Sequence, residues 1–141
     1  MSQTIFTIHF GILFVIASLH IYWAMGGKTA SLAVLPQSSS EKQVFMPSSF
    51  ITLIVAISFY MMSLIFVHAA GFFQVSILKN YQNAILIVLG IVFLIRAIGD
   101  FKYVGFIKKI KGTPFSINDT KYYTPLCFSI SITTFLAIYF L

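Results

Sequence analysis

Charge is scarce in this sequence, and the scarcity excludes a soluble globular domain of ordinary composition. Asp, Glu, Lys and Arg make up 9% of the 141 residues, whereas soluble domains carry about 25%. Hydrophobic residues make up 59%, and the mean hydropathy is +0.96. One unusually large soluble core does not explain this excess, because the apolar residues fall into four long blocks.

Cysteine and catalytic motifs are missing as well. Cys127 is the single cysteine, which excludes an intramolecular disulfide and a cysteine-based metal cluster. The sequence contains no HExxH, GxSxG or P-loop motif and no pair of carboxylates within one helix, so no enzyme class is indicated. It also lacks the inverted repeats and interrupted helices that are typical of transporters.

The basic character of the chain does not indicate a nucleic-acid partner. The formal net charge is +6 and the pI is about 9.6, yet there is no zinc-finger spacing, RNP-like motif or base-reading basic helix. Nearly every lysine lies beside an apolar block. We therefore predict no nucleic-acid binding and interpret the positive charge as a determinant of membrane topology.

Four apolar blocks are long enough to cross a bilayer, which takes about 20 residues. They cover residues 5–25, 48–71, 81–101 and 124–141. Because only short connections remain, we predict a single integral membrane domain over residues 1–141. The predicted fold class is all-α, a four-helix transmembrane bundle.

Basic residues are distributed unevenly between the connections. Residues 26–47 and 102–123 together hold seven lysines, whereas residues 72–80 hold only Lys79. Cytoplasmic loops carry the excess of Lys and Arg. We therefore predict a multi-pass protein of the cell membrane with both termini outside.

The connection between the third and fourth blocks alternates basic and apolar residues. In KYVGFIKKIKG, residues 102–112, this alternation predicts an interfacial basic helix whose lysines are attracted to anionic lipid. A solvated loop is the alternative. Thr124 and Pro125 then read as the N-cap and first position of the fourth helix.

Ionisable side chains inside a bilayer are costly unless they are paired or face the bundle interior. The predicted topology brings a set of polar and aromatic residues to the cytoplasmic side, and we take them as candidate ligand-binding residues. They are His20, Trp23, Arg96, Asp100, Asp119 and Tyr123.

Arg96 and Asp100 are four residues apart and share one helix face. Arginine before aspartate is the weaker order for such a pair, which leaves guanidinium donors for another partner, Asp119. Two interpretations stay open: a ligand site, or a structural ion pair with Arg96 snorkelling to the headgroups. His20 could similarly hydrogen-bond Asp100 or Tyr123 as a buried residue, or act chemically.

Two histidines raise the question of a cofactor. His9 and His68 are expected at matching depth on adjacent helices, where they could ligate a haem. Nothing else in the sequence supports this, and we predict no cofactor and no metal.

Three segments, HIYWAMGG, RAIGDFKYVGF and KGTPFSINDTKYYTPLC, resemble the bacterial family catalogued as the domain of unknown function numbered 3995. The resemblance covers nearly the whole chain, and RAIGDF is among its most specific parts. It implies a small multi-pass bacterial membrane protein without an assigned activity. All six candidate residues lie within these segments.

Three functional hypotheses follow. The leading one is a non-enzymatic membrane protein that binds a small anionic or amphipathic ligand, foremost a lipid headgroup. The second is a membrane-embedded enzyme or redox protein that uses His20, Asp100 and Asp119 as acid–base groups. The third is a structural or accessory subunit, and the sequence leaves open a homo-oligomer or another membrane protein as its partner.

Overall fold

A computed structural model describes residues 1–28, 31–36, 38 and 46–141. Across these residues the regular structure is helical and no strand occurs. Four helical segments are long and apolar enough to cross a membrane, which confirms the predicted all-α class with four candidate spans. They are Ser2–Ala24, Ser49–Ala69, Ser76–Ile98 and Pro114–Tyr139.

The helices are labelled in chain order. They are α1 (Ser2–Ala24), α2 (Ser31–Val34), α3 (Ser49–Ala69), α4 (Ser76–Ile98), α5 (Pro114–Asn118) and α6 (Thr124–Tyr139). A π-helical turn over Asp119–Tyr123 joins α5 to α6, so the fourth span is continuous.

The last two spans start earlier than predicted. Helix α4 begins at Ser76 rather than at residue 81, because the mixed polar and apolar residues 76–80 already form its first turn. The fourth span begins at Pro114 rather than at residue 124. There the Thr113 hydroxyl accepts a hydrogen bond from the Ser116 N–H (3.2 Å), and Pro114 occupies the first turn.

The predicted basic helix over residues 102–112 is wrong, since residues 99–113 contain no helix. Three glycines there have positive φ, +89° at Gly99, +92° at Gly105 and +87° at Gly112, and Phe101 has φ +61°. Left-handed residues interrupt a right-handed helix. The short helix α5 follows this loop and forms the beginning of the fourth span.

By its internal contacts the chain forms two compact units. The first comprises Met1–Gly27, Pro47–Gly90 and Ile132–Leu141, and the second comprises Lys28–Met46 and Ile91–Ser131.

In the first unit, aromatic contacts join α1 to α3 along their length. Ring centroids lie 6.0 Å apart for Phe6 and Phe66 and 5.3 Å apart for Phe14 and Tyr60. The Tyr60 hydroxyl also lies 2.9 Å from the Ser18 hydroxyl. Because lipid is as apolar as these side chains, close packing and interhelical hydrogen bonds hold such helices together.

Polar side chains inside the first unit are also satisfied. Both ring nitrogens of His9, which is 3% exposed, face threonine hydroxyls of α6: Nε2 lies 2.9 Å from Thr133 Oγ1 and Nδ1 lies 3.4 Å from Thr134 Oγ1. The buried His68 accepts a hydrogen bond at Nε2 from the Val75 N–H (3.0 Å). These bonds offset the cost of burying the imidazoles.

Candidate functional site

The segment RAIGDFKYVGF folds into a tight loop at the end of α4, in the second unit. The chain turns at Gly99 and comes back, so that the Phe106 N–H donates to the Ala97 carbonyl (3.0 Å). A Cβ at Gly99 would overlap the Val104 carbonyl, and one at Gly105 would overlap the backbone of Ile98. Both glycines are therefore required by backbone contact and by their positive φ.

Asp100 holds this loop together. Its Oδ1 accepts the N–H groups of Lys102 (3.0 Å), Tyr103 (2.7 Å) and Val104 (2.9 Å). Partial burial acts to raise the pKa of the Asp100 carboxyl, but the donated N–H groups outweigh it and hold the pKa below its usual range. The Asp100 carboxylate thus binds backbone N–H groups of the loop, and Arg96 pairs with Asp119 instead.

Asp119 is fully buried and surrounded by donors. Its Oδ1 accepts from Arg96 Nη2 at 2.9 Å. Its Oδ2 accepts from Lys108 Nζ (2.8 Å), the Gly105 N–H (2.9 Å) and Thr124 Oγ1 (3.0 Å). We call Arg96, Gly105, Lys108, Asp119 and Thr124 the Asp119 cluster.

The π-helical turn brings two members of the cluster together. In this turn the Thr124 N–H donates to the Asp119 carbonyl, five residues back, and the two side chains meet on the same side. Pro125 follows directly and has no N–H to donate. A proline ring clashes with the carbonyl four residues before it in an α-helix, and the wider π turn relieves that clash.

The charges of the Asp119 cluster do not balance. Two cations surround one carboxylate, and Lys108 is only 5% exposed. The Arg96 side chain is 35% exposed, but its Nη1 atom is buried and has no hydrogen-bond partner among the described residues. The cluster thus carries one excess positive charge, and its unsatisfied donor is on Arg96.

Tyr123 also belongs to the second unit. Its hydroxyl donates to the Ala33 carbonyl (3.2 Å), and its ring lies 6.2 Å from that of Phe115. This contact fixes α2 against the fourth span.

The two remaining candidates, His20 and Trp23, belong to the first unit. His20 Nδ1 lies 2.8 Å from the Ile16 carbonyl of its own helix, so it is the protonated nitrogen. Its ring packs at 5.2 Å against both Trp23 and Phe59. A shared ligand site for all six candidate residues stays a prediction.

Sequence reasoning missed Lys108, Gly105 and the direct bond from Thr124. One signal was present: Asp119 is the only acidic residue among the five lysines between residues 102 and 121. That imbalance indicates a lysine partner, but not which lysine the loop turns inward.

The described residues include no group of three or more His, Cys, Asp or Glu side chains that could hold a metal ion. The nitrogens of His9, and Nε2 of His68, are engaged with protein groups. Those hydrogen bonds would have to break before these nitrogens could bind haem iron.

Taken together, the fold and the site define an all-helical protein with four candidate membrane spans and a buried ion cluster. The family model described as Protein of unknown function (DUF3995) matches residues 13–134. The chain belongs to this family, and the match confirms the resemblance seen in the sequence. Searches of curated proteins and of solved structures found no match.

Proposed function

We propose that this protein is a multi-pass protein of the cell membrane that binds an anionic lipid headgroup at the Asp119 cluster. The observation that supports it most is Arg96 Nη1, which is buried and has no partner in the part of the chain that the structure describes, while Nη2 of the same guanidinium is held by Asp119. Arg96 is then the residue that contacts the headgroup phosphate.

A phosphate oxygen would remove an energetic defect. A buried donor without a partner costs about 1–3 kcal/mol. The planar guanidinium presents several donors in a fixed fork, so it can hold a carboxylate on one side and a phosphate on another. The Arg96 side chain is 35% exposed although Nη1 itself is buried, so headgroup binding at Nη1 requires the guanidinium to move.

Other cations in the second unit add to the attraction for anionic lipid. Lys102 lies 5.1 Å above the ring of its neighbour Tyr103, and Lys121 lies 5.0 Å above that of Tyr122. Tyrosine and lysine are favoured at the headgroup level of a membrane. Each lysine near an anionic surface adds about 1 kcal/mol of attraction.

The proposed orientation places this basic region in the cytoplasm. Seven lysines in residues 26–47 and 102–123 stand against one in residues 72–80, and the positive-inside rule puts the larger number inside. The ligand would then come from the cytoplasmic leaflet, and both termini would lie outside.

The carboxylates give little support to the enzyme hypothesis. Asp119 accepts four hydrogen bonds, two of them from cations, and Asp100 accepts three from the backbone. A general base needs access to the proton that it removes. Neither carboxylate is free for that role.

The proposal is tested by native mass spectrometry of the detergent-purified protein titrated with phosphatidylglycerol or phosphatidylcholine. Arg96→Lys keeps the positive charge beside Asp119 but removes the second guanidinium nitrogen. We expect the wild type to prefer phosphatidylglycerol and Arg96→Lys to bind it about tenfold more weakly, as for one lost hydrogen bond to a charged group.

Lys109→Gln is the matched control, since Lys109 is exposed and its loss removes a whole charge. The expected weakening is at most about fivefold. If Arg96→Lys bound phosphatidylglycerol as the wild type does, headgroup binding at Arg96 would be excluded and the structural-subunit hypothesis favoured.

A further inference from the structure

The first unit contains a second polar site, an open cavity of about 400 Å³. It lies where the start of α1, the connection after α3 and the start of α4 meet. Its hydrogen-bonding side chains include Gln3, Gln74, Lys79 and Gln82. The volume is within the range of small-molecule sites, about 300–1,000 Å³.

Lys79 is the only charged side chain in the sequence of the first unit. Salt bridges among the described residues are those of Arg96 and Lys108 with Asp119, so the Lys79 ammonium has no carboxylate partner there. In the same part of the chain, no protein hydrogen bond is found for the side-chain amides of Gln3, Gln74 and Gln82. Four hydrogen-bonding groups thus line one cavity without a partner among the described residues.

We infer that this cavity binds a phosphate ester that carries hydroxyl groups, as a lipid headgroup or as a free solute. The Lys79 ammonium would supply the charge for the phosphate. Each glutamine amide has two donors for phosphate oxygens and a carbonyl that accepts from a hydroxyl. A lysine that only anchored the start of α4 in the headgroups would not require three amides around it.

The cavity and the Asp119 cluster have no residue in common, and they differ in the charged side chains that they contain. The cluster contains two cations and a carboxylate from the second unit, whereas Lys79 is the one charged side chain that lines the cavity, beside neutral amides of the first unit. A variant of either site therefore leaves the other intact, and the failure of one proposal does not decide the other.

Isothermal titration calorimetry of the detergent-purified protein tests the inference. Arg96→Lys serves as the parent, so that the Asp119 cluster contributes little. It is titrated with phosphatidylglycerol in mixed micelles and, separately, with sn-glycerol 3-phosphate. We expect saturable binding that weakens at least tenfold in Arg96→Lys/Lys79→Gln and is retained in Arg96→Lys/Lys79→Arg.

The two titrants distinguish the source of the ligand. Binding of phosphatidylglycerol alone assigns a lipid headgroup, and binding of both assigns phosphate esters in general. Because Lys79 is exposed, the Lys79 variants should unfold at the same temperature as the parent. No binding of either titrant to the parent, or equal binding by the Lys79→Gln variant, would overturn the inference.

Discussion

Asp119 joins separate parts of the second unit through one carboxylate. It receives donors from the end of α4, from the loop that follows and from the start of α6. Removing one member of a buried ion pair leaves an uncompensated buried charge. The resulting loss of stability is larger than the stability that the intact pair contributes. The cluster is therefore the most sensitive point of the second unit.

Asp119→Asn should strongly destabilise the protein, because Lys108 and Arg96 lose their shared counter-charge. We expect a loss of about 3–5 kcal/mol in the free energy of unfolding. Thr124→Val, which removes one neutral donor to the same oxygen, should cost about 1 kcal/mol. Thermal unfolding in detergent measures both, and equal losses would contradict an ionic role for the cluster.

Asp100→Ala should destabilise the loop after α4, since three N–H groups lose their acceptor. The pKa of Asp100 is lower in the folded protein than its unfolded value of about 3.9. Its stabilisation is therefore present above that value and is lost as the pH falls through the folded pKa.

The apparent Tm of the wild type should exceed that of Asp100→Ala by a constant amount near neutral pH. The difference should shrink below about pH 4. Thermal unfolding at several pH values checks this, with Asp100→Asn as a control that keeps one acceptor without the charge. A difference that persists unchanged at acidic pH would show that the ionised carboxylate is not responsible.

The Arg96–Asp119 pair followed from the sequence, whereas the role of Lys108 did not. The unfavourable order of Arg96 and Asp100 already pointed to another partner for the arginine. Which lysine faces inward depends on the return of the loop, and that return depends on positive φ at Gly99 and Gly105. Hydrophobic periodicity contains no information on such turns.

At the scale of elements, two Thr-Pro pairs have different roles. Thr113 and Pro114 begin the fourth span as a side-chain cap and a first-turn proline. Thr124 and Pro125 lie ten residues inside it, at the end of the π turn. Both places have the same Thr-Pro sequence, so the sequence alone does not show which pair begins the span. In the structure the Thr124 hydroxyl is buried and donates to Asp119, so Thr124 does not act as the cap.

Deleting Lys121 should be tolerated once Pro125→Ala removes the proline clash that the π turn relieves. A π turn is one residue wider than an α turn, so the deletion closes it to an α turn and leaves Thr124 four residues from Asp119, still on the same face. Deleting Ile132 is the matched control, because it rotates Thr133 and Thr134 by about 100° away from His9.

Monodispersity and thermal unfolding in detergent separate the two deletions. With both deletions made in the Pro125→Ala background, we expect the protein without Lys121 to remain folded and the one without Ile132 to aggregate. The reverse result would mean that the π turn is an essential part of the fold rather than an accommodation of Pro125.

For the molecule as a whole, hydropathy alone was enough to predict four spans. An apolar stretch of about 20 residues has few stable alternatives to a membrane-crossing helix. Their starts were missed at Ser76 and Pro114, where polar helical turns extend beyond the apolar block. The polar ends of membrane helices resemble loops in composition, so the sequence places them poorly.

The predicted topology is tested by cysteine labelling in intact cells with a membrane-impermeant maleimide. In a Cys127→Ser background, Phe72→Cys should be labelled because residues 72–80 are predicted outside. Lys111→Cys should be labelled only after the cells are opened. Labelling of Lys111→Cys in intact cells would invert the topology.

Headgroup binding at Arg96 is the central claim, and the sequence offers a direct way to test it. Arg96 is the only arginine in the chain, so ¹⁵N-arginine labels one guanidinium. Solid-state NMR of the protein in phosphatidylglycerol bilayers can measure the dipolar coupling between its Nη atoms and lipid ³¹P. We expect a coupling that corresponds to hydrogen-bonding contact with a phosphate oxygen, whereas an Nη signal coupled to the Asp119 carboxylate but not to ³¹P would contradict the proposal.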